Sequence, residues 1–179
     1  ATFGNNHYFV TFIDDRSKFS WVFLMKHKNE VSSLFKDFYQ KIKTKYNKNI
    51  KCLRSDNGTE YMCSDMQDFL KAHGISHQTS APGNPEQNGL AERLNRTLQD
   101  ISTCLLIQGG LGKRFWGEAL LTANYLRNLV SKSSTKNVSA YEMMENKKPD
   151  MTHLKAFGCL AMCHIPKEKR KKFDQKAEA

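Results

Sequence analysis

What this chain lacks narrows the possibilities first. Its 179 residues contain no long apolar run, so no stretch can span a bilayer. Cysteine is sparse and odd in number. Cys52, Cys63, Cys104, Cys159 and Cys163 are scattered, which excludes a disulfide framework and points to buried thiols in a reducing compartment. Cys159, Cys163 and His164 lie close together, but no second ligand pair follows at a zinc spacing. There are only four prolines, and two of them, Pro82 and Pro85, fall in one loop. No internal repeat is visible. The opening residues Ala1 to His7 carry no Met and no signal-peptide pattern, so the chain reads as a piece of something longer.

Acid is also in short supply. Twenty-eight basic residues face 18 acidic ones, a net charge of +10. That excess favours a polyanionic partner, with nucleic acid first among them. Hydrophobic residues make up 39% of the chain, enough for one domain with a true core and a small appendage.

The apolar residues that are present are patterned. Residues 7–13 are aromatic and β-branched and predict a strand. Asp14 to Lys18 is a polar turn, and residues 19–25 predict the returning strand of a hairpin. Val31, Leu34, Phe35, Phe38 and Ile42 recur at helical spacing and predict a helix over 30–46. The other side of that helix carries Lys36, Lys41, Lys43 and Lys45, a solvated face. Residues 50–54 predict a short strand ending at Asp56, with Asn57 and Gly58 as a tight turn. One helix is expected over 60–73, stopped at Gly74, with His73 at its end and His77 beyond it. A strand follows over 75–80, then a loop over 81–89.

The next helix is expected over 87–108. Leu90, Leu94, Leu98, Ile101 and Leu105 form its buried stripe. Asn88, Glu92, Arg96 and Gln99 fall on the opposite side. Further helices are expected over 115–130 and 139–145, and then an apolar patch and the basic run from Lys167 to Lys172. Hairpin, helix, strand, helix, strand, helix predicts an α/β domain, a mixed sheet flanked by helices. Ligands of open α/β sheets bind beyond the strand ends, where Asp56 stands.

Asp56 and Glu92 are therefore the candidate catalytic and metal-binding pair. Thirty-five residues, 57 to 91, separate them. Mg²⁺ prefers carboxylate oxygens, and two such ions drive phosphodiester chemistry. Arg96, one turn past Glu92, suits a phosphate, and Asn88, Asn95 and Arg93 are further DNA-binding candidates. Each residue also has a plainer reading. Asp56 alone is a turn residue capping the next helix, and Glu92 alone is a surface residue paired with Arg96.

Longer motifs decide between these readings. They include Tyr8-Phe9-Val10-Thr11-Phe12-Ile13-Asp14-Asp15, Arg54-Ser55-Asp56-Asn57-Gly58-Thr59-Glu60-Tyr61, and Asn84-Pro85-Glu86-Gln87-Asn88-Gly89-Leu90-Ala91-Glu92-Arg93-Leu94-Asn95-Arg96. Phe115 to Ala119 and His153 to Cys159 add two more. With these motifs the chain resembles, over almost its whole length, the integrase catalytic core of Copia-type long-terminal-repeat retrotransposons.

That resemblance implies a ribonuclease-H-like fold and an Asp/Asp/Glu triad, with Asp56 as the second acid and Glu92 as the third. It implies Mg²⁺ or Mn²⁺, with 3′-end processing and strand transfer of element DNA into a target. Element ends, target DNA and further copies of the chain are the implied partners, with no membrane. The implied location is intracellular, in a cytoplasmic particle and the nucleus. The resemblance aligns Asp14 and Asp15 with the hairpin turn and puts the family's first Asp, with the first strand, upstream of Ala1. Residues 1–146 are then expected to be the core, and 147–179 a post-core segment and basic tail, the fold as a whole carrying a C-terminal helical and basic extension. The piece alone is expected to bind metal weakly and to turn over little. A non-catalytic nucleic-acid-binding module from a decayed element is the alternative. A structure-specific nuclease is a third reading, distinguished by its product.

Overall fold

The computed structural model describes residues 1–79, 89–131 and 137–178. Strand β1 (Tyr8–Ile13) turns back into β2 (Ser20–Met25) as an antiparallel pair. Asp14 and Asp15 lie in the turn, as expected. The Asp14 carboxylate accepts from the Ser17 amide and hydroxyl, both at 2.7 Å, and Asp15 pairs with Lys18 at 2.6 Å.

Strand alternation gives the hairpin two buried faces. Val10, Phe12 and Met25 face α1 (Val31–Tyr46), where they meet Phe35, Phe38 and Ile42. Phe38 stacks on Phe12 at 4.7 Å and meets Trp21 edge-on at 4.9 Å. Asn47, in the left-handed conformation at φ 50°, closes α1 through its amide to the Lys43 carbonyl. The opposite face carries Val22, with Phe9, Ile13 and Leu24 beside it. It packs on Leu94 and Leu98 of α4 (Gly89–Gln108) and on Leu120 and Ala123 of α5 (Trp116–Leu129). The hairpin is thus the middle of three layers.

β3 (Cys52–Ser55) pairs in parallel with β4 (Ser76–Thr79), Ser55 lying opposite Thr79. The expected mixed sheet is therefore present as two pairs, one antiparallel and one parallel. No ladder joins them among the described residues.

The helix expected over 60–73 is broken. α2 (Thr59–Met62) and α3 (Ser64–Ala72) are separated by Cys63, whose backbone is extended at ψ 148°. The break frees the Tyr61 carbonyl, and the Gln67 side chain takes it at 2.8 Å. Gly74 follows α3 at φ +63°, a left-handed conformation that glycine adopts at no steric cost. α6 (Ala140–Glu145) starts at Ser139, whose hydroxyl accepts from the Glu142 amide at 3.1 Å. Beyond Glu145 the regular structure of the described chain is one 3-10 turn (Lys167–Lys169) and a two-residue pair, β5 (Cys163–His164) with β6 (Ala177–Glu178). The strand end expected at Ser80, the loop over 81–88 and the first turn residue Asn88 lie outside the described residues.

Candidate active site

Asp56 follows the last residue of β3 and is exposed. One of its carboxylate oxygens accepts from the Gly58 amide at 3.2 Å, and Gly58 is the N-cap of α2. The turn reading of Asp56 thus accounts for one oxygen. The Glu60 carboxylate folds back toward the same point: a Cβ built on Gly58 would stand 2.9 Å from Glu60 Oε2 and 3.0 Å from Asp56 Oδ1. A side chain at Gly58 would displace these carboxylate tips.

These acids act on Tyr61. Burial, then the neighbouring Asp56 and Glu60 charges, push its phenol up to about 12. Glu60 and Tyr61 also line a cavity of about 230 Å³ with Tyr8, Val10, Lys28 and Val31. Sequence reasoning missed Glu60, although its place four residues after Asp56 in a tight turn was a usable signal.

Glu92 lies in the first turn of α4 and is exposed, on the side away from Leu94 and Leu98. The ion pair of the plainer reading does not form. Among the described residues the salt bridges join Lys18 to Asp15, Lys36 to Asp65 and Lys45 to Glu145, and neither Glu92 nor Arg96 takes part. Arg96 is exposed on the same helix, and the Arg93 guanidinium folds back over Gly89.

Asn95 is placed otherwise than expected. Its carboxamide oxygen accepts from the Thr11 hydroxyl at 2.8 Å, so it faces β1 and ties α4 to the hairpin. It sits one residue past Leu94, about 100° round the helix, which turns it to the border of the buried stripe. Asn88 lies outside the described residues.

Behind Asp56 stands a chain of polar groups that the sequence did not reveal. The Ser55 hydroxyl is 2.8 Å from the Asp56 carbonyl and 2.9 Å from His77 Nε2. His77 Nδ1 is 3.0 Å from the Gln67 side-chain amide. Ser55 is buried, and burial holds the His77 imidazole below its usual pKa. The usable signal was the parallel register: Leu53 pairs with His77, so Ser55 and His77 project from the same face.

Asp56 and Glu92 each present an exposed carboxylate, the oxygen donor that a hard divalent cation prefers. No three acid, His or Cys side chains gather into a metal-binding group among the described residues.

Known proteins bear on this geometry. Residues 1–85 match the family model described as integrase core domain. The chain is 43% identical over 178 residues, 97% of its length, to the retrovirus-related Pol polyprotein from transposon TNT 1-94 of Nicotiana tabacum. The chain carries an integrase core domain. The Pol polyprotein from transposon RE2 of Arabidopsis thaliana is 32% identical over 97% of the chain. The chain spans only 12–13% of the length of these two polyproteins. A solved structure, the HTLV-2 integrase catalytic core domain in complex with magnesium (trimeric form), superposes with a TM-score of 0.58 at 19% identity. The match covers 75% of this chain and 82% of that one, and it shows that the fold is ribonuclease-H-like.

Proposed function

We propose that this integrase core serves DNA integration by metal-dependent polynucleotidyl transfer: processing of 3′ ends, then strand transfer into a target. One observation carries the reading. The two acids with 35 residues between them sit on elements that suit this chemistry, Asp56 just past a β-strand end and Glu92 in the first turn of α4.

Asp56 and Glu92 are the residues that would hold Mg²⁺ or Mn²⁺; the magnesium in the HTLV-2 core supports the kind of metal. Two bound divalent cations supply an activated attacking oxygen and a stabilised leaving oxygen. The chain's own residues position the DNA. Arg96, unpaired with any described acid and one turn beyond Glu92, meets a phosphate, and Arg93 offers a second cation. Asn88 remains a DNA-binding candidate from its place four residues before Glu92. Asn95 acts by bracing α4 on β1.

The reading extends to partners and place. Element ends and target DNA fit the net charge of +10. The trimeric form of the solved relative supports homo-oligomer formation. A cytoplasmic particle and the nucleus are the places where DNA integration by a retroelement would need this chain. The test is a strand-transfer assay with the integrase that carries this chain, in Mn²⁺ and Mg²⁺. Joined strands lost on both Asp56→Asn and Glu92→Gln are expected. Salt-sensitive DNA binding with no joined product from the unaltered integrase would instead establish a non-catalytic binding module, and cut but unjoined strands a nuclease.

A further inference from the structure

We infer that His77, held between Gln67 and Ser55, is a positioning residue that sets the backbone carrying Asp56. The hydrogen bonds fix the direction of the chain. The Gln67 side-chain nitrogen lies 2.8 Å from the Tyr61 carbonyl, which can only accept, so the nitrogen donates there. The same nitrogen has a second hydrogen for His77 Nδ1 at 3.0 Å. Nδ1 is then the accepting nitrogen, and the neutral imidazole carries its proton on Nε2. That N–H donates to the Ser55 hydroxyl at 2.9 Å, and Ser55 passes its own hydrogen to the Asp56 carbonyl at 2.8 Å. Each group uses the one role its neighbour leaves open.

The position gives the chain its consequence. β3 and β4 pair over only four residues, so side-chain links across them matter. On one side Arg54 donates to Gln78 at 3.2 Å, and on the other His77 reaches Ser55. The Asp56 carbonyl is fixed by Ser55, while its carboxylate is fixed by the Gly58 amide at 3.2 Å. The Gln67 bond also closes the break at Cys63, coupling α3 to the same strand end. Burial lowers the imidazole's pKa, which favours the neutral form that this donor pattern needs.

The inference rests on the proposed role of Asp56, so the test has two independent arms, both on the 179-residue chain. In the first, long-range ¹H–¹⁵N spectra of His77 are expected to show the Nε2–H tautomer. His77→Ala is expected to speed Gly58 amide exchange by about tenfold, one hydrogen bond's worth. His77→Gln keeps an N–H near the Nε2 position and is expected to recover exchange to within about threefold of the parent. Amides of α5 report that the fold is intact, and Gln67→Ala repeats the measurement with His77 in place. An Nδ1–H tautomer, or unchanged Gly58 exchange in both alanine variants, overturns the positioning role.

The second arm follows Mn²⁺ broadening around Asp56. Asp56→Asn is expected to abolish it and His77→Ala to weaken it by about threefold to tenfold. Broadening that survives Asp56→Asn sinks the metal-ligand reading, and the exchange arm still decides the positioning role. Broadening lost in Asp56→Asn but untouched in His77→Ala overturns the positioning role and leaves the site reading standing.

Discussion

Asn128 of α5 grips both backbone groups of Ser20 at the start of β2. Its side-chain oxygen accepts from the Ser20 amide at 3.1 Å, and its side-chain nitrogen donates to the Ser20 carbonyl at 2.8 Å. Asn124 adds a 2.5 Å bond from the Ser20 hydroxyl, and Arg127 donates to the Lys18 carbonyl. Ser20 is fully buried, so these groups have no water to turn to. Asn128→Ala strands the Ser20 amide, while the Ser20 carbonyl keeps the Asn124 side-chain nitrogen at 2.9 Å. The expected loss is about 1–3 kcal/mol, the cost of one orphaned buried group. Thermal or urea unfolding measures it, and a loss under about 1 kcal/mol shows that water or a rearrangement replaces the asparagine.

Asp56→Asn is expected to separate activity from stability. Asn keeps the oxygen that accepts from Gly58, and the position is exposed. Unfolding free energy should move by less than about 0.5 kcal/mol. Strand transfer should fall by more than about a hundredfold, since even the outer partners of metal ligands are worth 10–100-fold. A variant that loses both together marks Asp56 as structural.

Much of this fold was legible from residue spacing, and the reason is local. The hairpin, α1 and the buried stripe of α4 follow from side-chain periods of 2 and 3.6, which a short window displays. What stayed hidden depends on partners far away in the chain. Ser20 reads as an ordinary strand serine until α5, more than a hundred residues on, supplies Asn124 and Asn128. Asn95 reads as exposed until Thr11 arrives from β1. Cys63 breaks a helix that propensity alone would continue, because Gln67 compensates the freed carbonyl. The site divides in the same way. Asp56 and Glu92 were marked by motif and spacing, whereas Ser55, His77 and Gln67 meet only through the parallel pairing of β3 with β4.

Arg96→Ala is expected to weaken DNA binding similarly across sequences and to lower the slope of log affinity against log salt by about 0.9, the share of one phosphate contact. Its guanidinium is exposed and takes no described acid, so it is free for that contact. An unchanged slope in a salt titration by fluorescence anisotropy removes Arg96 from the interface.

Tyr61 makes the domain sensitive to alkali. Its phenol ionises near 12 in the folded chain, against 10.0 for the free side chain. The raised value means that the folded state holds the proton more tightly than the unfolded state. The associated stability is complete below pH 10 and is lost as pH rises through 12. Two units correspond to at most about 2.7 kcal/mol. Tyr61→Phe has no proton to lose, so its unfolding free energy should fall less steeply between those limits. Since Asp56 and Glu60 add to the burial effect, Glu60→Gln should lower the phenol's midpoint, read by absorbance near 295 nm. A Tyr61 midpoint at the ordinary value would show that the phenol is solvated, and that the two carboxylates do not converge beside it.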